Sequence, residues 1–593
     1  MNRLIPTLAL SMLPASAIAA AAPPSTPSPE RPLFIELDPK ATGLDFRNEL
    51  LPDDRRNYLY PFGYACGGVS IGDLDGDGRN DVFCVGGPTG NGLFLQAADD
   101  AGSLRFTRIV DSMIDGGDAW GTGAALVDID GDLDLDIYVC NYDSPNQLFI
   151  NRSEPGAPRF TEEAAAYGLD IRDASVMATF ADVDLDGDLD AYLCCNRYVP
   201  PTGFPMEAPG SYDPATGTFT MFPKYERLFR AWRNPDGNFE ADSYGRDDFL
   251  LLNGGGGDDG QIVFEDVTER SGIDGAGHAL SATWIDFDDD GRLDLHVAND
   301  FEDPDRLYRN LGPGDDGVVR FRDVIGEVLP YTTWSSMGAD QADLDGDGLL
   351  DLMVADMAAT THFKSKVNMG EMGGRQRVIL ETGWPRQAMR NMVYLNTGRG
   401  VYREAAFLVG LANSDWTWAV KLADFDQDGR PDVFLSNGMS RNYTDSDVPF
   451  SGRQKYGRTQ WDHFRDQPPL AERNMAFRND GALRFGDVSG AWGLDKSGMS
   501  YSAAYGDLDG DGDQDLVVAN LDDTVSLYRN DATGNWLKVR LRSDEANRHG
   551  AGALVRVVTE SGRILVRRAN PWTGWASTDD PDLHFGLGDD DSI

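Results

Sequence analysis

Residues 72–81 read GDLDGDGRND, an acidic loop that carries Asp73, Asp75, Asp77 and Asp81. Two unit charges about 4 Å apart interact by roughly 4 kcal/mol at an effective dielectric constant near 20, so four converging carboxylates repel one another. A bound cation would remove this repulsion, and ligands that are all oxygen favour a hard ion such as Ca²⁺. Asp and Gly are also common turn residues, so one copy alone is compatible with an ordinary turn.

The loop recurs seven times along the chain. Every copy keeps Asp at loop positions 1, 3, 5 and 9, and six copies have Gly at position 6. The second copy has Leu133 at position 6 and Gly131 at position 4. Such repetition at one spacing favours metal sites over unrelated turns. The copies begin at Asp73, Asp128, Asp182, Asp286, Asp343, Asp424 and Asp507.

These loops predict up to seven Ca²⁺ ions as the cofactor. Positions 1, 3, 5 and 9 supply carboxylates and position 7 supplies a backbone carbonyl, as in known calcium loops. The predicted ligands, loop by loop, are Asp73, Asp75, Asp77, Arg79 and Asp81; Asp128, Asp130, Asp132, Asp134 and Asp136; Asp182, Asp184, Asp186, Asp188 and Asp190; Asp286, Asp288, Asp290, Arg292 and Asp294; Asp343, Asp345, Asp347, Leu349 and Asp351; Asp424, Asp426, Asp428, Arg430 and Asp432; Asp507, Asp509, Asp511, Asp513 and Asp515.

The loops are not EF-hands. An EF-hand needs a Glu at position 12 and a helix on each side. Short apolar runs rich in β-branched and aromatic residues flank these loops instead, which predicts that each loop joins two strands. Position 12 is occupied by Cys84, Val139, Leu193, Val297, Val354, Leu435 and Val518.

The repeat predicts an all-β fold, a seven-bladed β-propeller. The first three loops start 54 or 55 residues apart, a spacing that suits a blade of four strands. Each loop is followed by an aromatic strand and then by a segment that begins with an aromatic residue and ends near Gly-Leu. That last segment is missing after the seventh loop, and residues 33–44, LFIELDPKATGL, match it. We expect them to close the ring.

The DxDxDGxxD loops resemble FG-GAP or VCBS repeats, the propeller units of integrin α-chains and many secreted bacterial proteins. Residues 535–588, from NWLKV to HFGLG, resemble the ASPIC/UnbV module that follows such propellers in bacterial cartilage acidic protein-like proteins. The stretch from RNMVYLNTG to VFLSNG, residues 390–438, is similar to the same relatives. The resemblance implies calcium binding and secretion, and it implies no settled activity. It also leads us to expect further strands of the module beyond Ile593, so that the tail is truncated.

The predicted domain organisation follows from these segments. Residues 1–21 contain Arg3, an apolar run and small residues before a cleavage site, which is typical of a signal peptide and predicts a secreted or periplasmic protein. Residues 22–32 form a Pro- and Ser-rich linker, residues 33–533 the propeller and residues 535–593 the ASPIC/UnbV-like module. No later segment is apolar enough to span a membrane.

Three insertions lengthen the propeller, at about residues 197–260, 357–392 and 439–474. They are rich in aromatic residues, Pro, Arg and Lys, a composition favoured in recognition surfaces. We expect them to lie on one face and cap the central channel; the alternative is that they only pack over the disc. The residues predicted for this surface are Tyr198, Tyr225, Arg227, Trp232, Lys364, Lys366, Arg375, Trp384, Arg386, Arg441, Trp461 and His463.

The formal net charge of −46 argues against nucleic acid and anionic membranes as partners. We predict an exported calcium-binding protein that binds a polysaccharide, matrix or protein ligand. The alternative is an enzyme with its active site in the capped channel, acting on glycans or a secondary metabolite. Ser70 lies in a G-x-S-x-G match that lacks the following helix, and no catalytic cluster stands out. Binding is therefore favoured over catalysis, and no catalytic residue is assigned.

Overall fold

Seven four-stranded antiparallel units follow one another along the chain, and we number them by their acidic loops. The computed structural model describes residues 31–65, 67–97, 104–110, 113–233, 237–256, 261–275, 277–300, 303–368, 384–448, 450 and 452–593. The predicted signal peptide and most of the linker lie outside these residues. Residues 33–593 are described as one body.

Each acidic loop joins the first and second strands of its unit, as the apolar flanks predict. The first strands are Val69–Gly72, Gly121–Val127, Arg172–Ala181, Ala279–Ile285, Ala339–Ala342, Thr417–Ala423 and Ser500–Gly506. The second strands are Asp81–Cys84, Asp136–Pro145, Asp190–Cys195, Asp294–Asn299, Asp351–Val354, Asp432–Asn437 and Asp515–Asn520. Units 2 and 3 share one sheet through pairing of Arg172–Ala181 with Asp136–Pro145.

The third and fourth strands complete the units. The third strands are Gly92–Gln96, Gln147–Asn151, Phe249–Gly256, Arg306–Pro313, Met392–Asn396, Met475–Asn479 and Ser526–Asn530. The fourth strands of units 1 to 6 are Phe106–Ile109, Phe160–Glu162, Ile262–Asp266, Val319–Asp323, Tyr402–Glu404 and Phe485–Asp487. Unit 7 takes its fourth strand from Phe34–Glu36, which pairs antiparallel with Ser526–Asn530. This pairing confirms that residues near the N-terminus supply the strand missing after the seventh loop.

A one-turn helix follows the fourth strand in six units. These helices are Pro39–Thr42, Ala164–Tyr167, Thr268–Ser271, Ile325–Val328, Ala406–Val409 and Ser489–Trp492. Five of them end at a Gly in the left-handed conformation, which explains the Gly-Leu ending of the repeat. The other described helices are Lys364–Val367 and Gln460–Phe464, with 3-10 turns at Asn57–Leu59, Gly63–Ala65, Pro223–Tyr225 and Gly452–Lys455. No helix in the described part of the chain is both long and apolar enough to cross a membrane.

The first strands contact one another in a closed cycle. Each first strand contacts the first strand of the next unit, and Ser500–Gly506 of unit 7 contacts Val69–Gly72 of unit 1. The first and second strands are almost wholly buried. The main hydrophobic core therefore lies along this cycle and between neighbouring units.

Connections alternate between the two ends of each unit because its strands are antiparallel. The acidic loops all lie at one end, which we call the loop end. The three insertions all join second to third strands, so they lie at the opposite end, the insertion end. They also contact each other: the amide of Phe204 donates to the carbonyl of Lys455 (3.0 Å), and that of Ser446 donates to the carbonyl of Val367 (2.8 Å). This agrees with the expectation that the insertions share one face.

Short strand pairs complete the insertion end. Gly210–Asp213 pairs with Thr218–Met221, and Phe229–Arg233 pairs with Phe239–Ser243. Tyr331–Thr333 runs parallel to Arg386–Ala388. Glu472–Arg473 pairs with Ser497–Gly498.

The C-terminal segment covers the loop end. Its strands pair as Asn535–Val539 with Leu583–Gly588 and as Leu554–Val558 with Ile564–Arg568. The backbone amide of Asn547 donates to the carbonyl of Gly187 in loop 3 (2.8 Å). The Arg563 guanidinium donates to the carbonyl of Asp428 in loop 6 (2.9 Å).

Residues 572–580, which we call the central segment, lie where the first strands converge. The amide of Ile71 in unit 1 donates to the carbonyl of Thr578 (2.9 Å), and the amide of Gly574 donates to the carbonyl of Ala339 in unit 5 (2.8 Å). The Trp572 indole N–H donates to the carbonyl of Leu126 in unit 2 (2.9 Å). The entry of the tail into the centre of the repeat array was not predicted from the sequence.

Candidate metal centres

The seven acidic loops share one backbone conformation. Positions 4 and 6 have positive φ in every loop, at 58–77° and 82–99°. The position 1 carboxylate accepts backbone N–H groups across the turn; in loop 6, Asp424 accepts from Asp428 (3.0 Å) and Gly429 (2.8 Å). The six glycines at position 6 follow from this geometry, because glycine adopts positive φ without a Cβ clash. Leu133 adopts the same conformation in loop 2, at φ 82°.

The position 9 carboxylate connects its loop to the third strand. In loop 1, Asp81 accepts the amide of Leu74 (2.9 Å) through one oxygen and the amide of Gln96 (2.8 Å) through the other. The same two bonds recur in all seven units, as in Asp515 with Leu508 and Asn530. The repeat predicts a metal ligand at this position; the structure adds a bracing role, since each oxygen also accepts a backbone hydrogen bond.

Burial makes the position 9 carboxylates costly to ionise. It raises the pKa of Asp81, Asp294 and Asp351 to about 8, against the effect of their two backbone donors. Burial likewise raises the pKa well above the ordinary value in the other four loops, at Asp136, Asp190, Asp432 and Asp515. A nearby cation would favour the ionised form.

Carboxylate oxygens without a donor point to a cation in these loops. One oxygen of the position 3 Asp is buried without a hydrogen-bond partner at Asp130, Asp184 and Asp426. At Asp288 both oxygens are, although the Arg309 guanidinium lies 2.5 Å from one of them. In loops 1, 2 and 3 the carboxylates of positions 1, 3 and 9 bring ligand atoms within 4.8 Å of one another, and in loops 4 and 5 those of positions 1, 3 and 5 do so. Convergent oxygen atoms with spare lone pairs fit the requirements of Ca²⁺.

Basic side chains already neutralise part of the charge in several loops. Arginine at position 7 pairs with the position 5 Asp in loops 1, 4 and 6, as Arg430 does with Asp428. Arg152 lies 2.9 Å from Asp130 in loop 2, and Lys538 of the tail lies 2.5 Å from Asp507 in loop 7. Loops 3 and 5 have no ion pair with Arg or Lys among the described residues. Neutralisation of the carboxylates in these two loops therefore depends most on a bound cation.

An amide side chain on the third strand links neighbouring units. Asn530 of unit 7 donates to the carbonyls of Phe425 in loop 6 (2.8 Å) and Gln514 in its own loop (3.2 Å). Asn151, Asn310 and Asn479 reach the preceding loop in the same way. In unit 1, Gln96 donates to the carbonyl of Leu508 in loop 7 (2.6 Å), so the link also joins the first unit to the last. The Asn that recurs at the end of the third strand is the sequence signal for this link, and it was not among the predicted site residues.

The residues predicted for the insertion surface divide into exposed and covered groups. Trp384 is 68% exposed, and Lys366 and Arg386 are exposed as well. Tyr198 and Trp461 are buried at 6% and 1%, so the prediction was wrong for these two. Guanidinium groups lie over their rings, Arg227 over Tyr198 (3.9 Å) and Arg441 over Trp461 (5.1 Å).

The remaining predicted surface residues have mixed environments. The Lys364 ammonium pairs with Asp415 (2.7 Å) and Glu472 (2.8 Å), which holds the base of the second insertion. Tyr225, Trp232 and His463 are partly buried. Arg375 lies outside the described residues.

Comparison with known proteins supports the resemblance seen in the sequence. A family model described as FG-GAP-like repeat matches residues 73–139, 128–193, 286–354, 382–435 and 507–555, and all seven acidic loops fall within these ranges. A second model, described as ASPIC and UnbV, matches residues 543–593. The chain is 22% identical to cartilage acidic protein 1 of Mus musculus over 521 residues, 79% of this chain and 69% of that protein. It is 21% identical to cartilage acidic protein 1 of Homo sapiens over 518 residues, 79% of this chain and 67% of that protein.

Proposed function

Because the chain belongs to the proteins that join FG-GAP-like repeats to an ASPIC and UnbV domain, we propose that it is an exported, calcium-stabilised seven-bladed β-propeller that binds a macromolecular ligand at its insertion end. Seven four-stranded units and the closed cycle of first strands support the propeller. The proposed ligand is a polysaccharide, a matrix component or another protein.

Calcium is proposed at all seven acidic loops, with the ligands predicted above. The buried oxygens without donors at the position 3 carboxylates support this assignment most directly. When bound, Ca²⁺ would supply positive charge that offsets part of the net charge of −46. The loops join the buried first and second strands, so a filled site would stabilise the folded ring rather than react with a substrate.

The location of the binding surface follows from what covers each end. The tail lies over the loop end, with Asn547 on loop 3 and Arg563 on loop 6. The insertion end carries large exposed apolar side chains, at Met206 (82%), Phe363 (72%) and Trp384 (68%). Large exposed apolar side chains on the end that the tail leaves uncovered favour a contact surface. This asymmetry between the two ends is the observation that carries the proposed function.

Export is proposed from residues 1–21, which are typical of a signal peptide. The two relatives compared above are named for cartilage and for acidity, and this chain shares the acidity. We place the protein outside the cytoplasm, either secreted or periplasmic.

The test of the proposed function is a binding screen with the full chain in calcium. The probes are an array of neutral and sulfated oligosaccharides and, separately, immobilised gelatin as a matrix protein. The variant combines Met206→Ser, Phe363→Ser and Trp384→Ser, which remove apolar groups from the insertion end. The matched control combines Leu311→Ser, Val558→Ser and Ile593→Ser, since these side chains are also exposed (52%, 56% and 67%) but belong to the loop end or to the tail that covers it.

We expect a probe to bind wild type and control alike and to bind the insertion-end variant at least tenfold more weakly. All three proteins should melt within about 2 °C of one another, because exposed substitutions change stability by less than about 0.5 kcal/mol. Equal binding by the variant would refute the placement of the surface. Failure of every probe to bind wild type would refute the proposed ligand classes.

A further inference from the structure

One unit departs from the repeat at the insertion end. The residue directly before the first strand is Trp120 in unit 2, Trp416 in unit 6 and Met499 in unit 7. Its carbonyl accepts a hydrogen bond from a backbone amide near the end of the second strand. In unit 4 this residue is His278, and its carbonyl accepts the amide of Asp300 (2.8 Å). An imidazole therefore replaces a side chain that is apolar or aromatic in these units, and Asp300 lies where they have Tyr142, Gly438 and Leu521. Sequence repetition does not explain this pair.

The His278 ring is oriented by a carboxylate and keeps one nitrogen without a partner. Nδ1 lies 2.8 Å from an oxygen of Asp303, and the side chain is 1% exposed. Burial lowers the pKa of His278, so the ring is neutral at pH 7. In a neutral ring with Nδ1–H donating to Asp303, Nε2 is an acceptor. No group among the described residues donates to Nε2.

A second histidine, His296, also has ring nitrogens without a hydrogen-bond partner among the described residues, but its place in the repeat is a structural one. His296 lies on a second strand, 3.5 Å from Asp305, and both side chains are fully buried. The equivalent pairs in units 2 and 3 are Tyr138 with Asn146 (2.9 Å) and Tyr192 with Asp248 (2.8 Å). These pairs recur because they brace the second strand against the start of the third. His278 and Asp303 have no such counterparts.

Charged groups from the first insertion surround the histidine pair. Arg197 lies 3.9 Å from Asp300, and Arg230 lies 3.4 Å from Asp303. Their side chains are between 13% and 26% exposed, so these four groups are partly accessible to solvent beside the buried ring. Two carboxylates are balanced by two guanidinium groups and the imidazole is neutral, which gives these five side chains no net charge.

An aromatic face completes the cluster. Phe62 is partly exposed, and the Arg197 guanidinium lies 5.0 Å from the centre of its ring. Tyr64 next to it donates to the side chain of Asn196. The cluster thus combines the Nε2 acceptor of His278, the carboxylate and guanidinium groups of the two ion pairs, and the apolar face of Phe62. These groups come from three separate parts of the chain. Convergent polar groups beside an aromatic face are typical of ligand sites.

We propose that His278, Asp300, Arg197 and Phe62 form a binding site for a neutral polyhydroxylated ligand, a sugar ring of a glycan. A ligand hydroxyl would donate to Nε2 of His278, and neighbouring hydroxyls would donate to Asp300 and accept from Arg197. The Phe62 ring would contact the C–H face of the sugar. An uncharged ligand is favoured because the two carboxylates, the two guanidinium groups and the neutral imidazole together carry no net charge. This inference rests on the proposed function, which places ligand binding at the insertion end.

The test measures binding of neutral oligosaccharides to the full chain in calcium by isothermal titration calorimetry. The probes are tetra- to hexasaccharides of glucose, galactose, mannose and N-acetylglucosamine, with an oligoglucuronate as the charged comparison. His278→Phe removes the acceptor and keeps an apolar ring, as at Trp120 and Trp416. Asp300→Asn is isosteric, and unit 3 has Asn196 at the equivalent position. Asp466→Asn is the control, since this exposed carboxylate lies at the same end.

We expect at least one neutral oligosaccharide to bind wild type and the Asp466→Asn control within twofold, and to bind His278→Phe and Asp300→Asn at least tenfold more weakly. Asp300→Asn decides the outcome if His278→Phe does not fold. Equal binding to all four proteins would overturn the site. If no neutral oligosaccharide binds while gelatin binding remains sensitive to the insertion-end substitutions, the site is refuted and the proposed function stands.

Discussion

The ammonium nitrogen of Lys421 lies 2.7 Å from a carboxylate oxygen of Asp579, and neither side chain is more than 2% exposed. Lys421 belongs to the first strand of unit 6, and Asp579 belongs to the central segment of the tail. Lys421 also donates to the carbonyl of Thr573 (3.0 Å), and the other oxygen of Asp579 accepts the amide of Tyr505 in unit 7 (3.1 Å). The pair therefore ties the tail to two units at once.

Removing one member of this pair should lower the free energy of unfolding more than removing both members. Lys421→Met leaves the Asp579 carboxylate buried without its cation, and we expect the free energy of unfolding to fall by about 3–5 kcal/mol. The double variant Lys421→Met with Asp579→Leu should lose much less. Guanidinium unfolding in excess calcium, followed by tryptophan fluorescence, measures both. Equal losses in the single and double variants would show that the pair does not hold the central segment.

The amide link between units gives a second prediction. Asn530→Ala leaves the buried carbonyls of Phe425 and Gln514 without their side-chain donor, and we expect a loss of about 1–3 kcal/mol in the free energy of unfolding. Asn396→Ala is the matched control, because among the described residues the Asn396 side-chain amide donates to the carbonyl of Leu350 in its own unit (3.3 Å) and to no neighbouring loop. It should cost less than Asn530→Ala in the same denaturation measurement. A larger loss for Asn396→Ala would contradict a role in joining units.

Leu133 should be a site where glycine stabilises the protein. Its φ of 82° is unfavourable for a residue with a side chain, by about 1–2 kcal/mol, whereas glycine loses about 0.5–1 kcal/mol in unfolded-chain entropy. Leu133→Gly should therefore raise the free energy of unfolding by about 0.5–1 kcal/mol. Leu349→Gly, at position 7 of loop 5 where φ is not positive, should lower it. Melting temperatures of the two variants in calcium check the opposite signs.

His278 predicts a specific sensitivity to acid. Burial lowers its pKa in the folded state, opposed by the nearby carboxylates of Asp303 and Asp300 and assisted by Arg197. As the pH falls below about 6.5, the unfolded chain binds a proton that the folded chain does not, so stability decreases by at most about 1.4 kcal/mol per pH unit. His278→Phe should show a shallower loss between pH 6.5 and pH 5.

The control for the acid prediction is His362→Phe, a substitution of an exposed histidine at the same end. Its melting temperature should follow the wild-type pH profile. The prediction fails if His278→Phe and wild type lose stability in parallel over this range.

The acidic loops and the repeat could be predicted because their cause is local. Carboxylates at fixed spacing repel one another in any chain, and apolar runs beside them form strands, so Asp73 to Asp81 already indicated both the loop and its flanking strands. The closing strand at Phe34 could be matched because it repeats the pattern of the other fourth strands.

Other features depend on contacts between distant segments and gave no local signal. Asp579 meets Lys421 although 158 residues separate them. Asp300 of unit 4 lies beside Arg197, which follows the second strand of unit 3, because the two units are neighbours in the fold. Trp461 looked like a surface residue by composition, and Arg441 covers it in the fold.

The central claim is that calcium neutralises the clustered carboxylates of the seven loops. Its most direct test is the calcium content of protein purified in its folded state without chelators, measured by elemental analysis after gel filtration, together with melting before and after EDTA. A site filled at 100 times its Kd adds about 2.7 kcal/mol. The account predicts several calcium ions per chain, up to seven, and a large fall in melting temperature with EDTA. Folded protein that contains no calcium and melts unchanged in EDTA would contradict it.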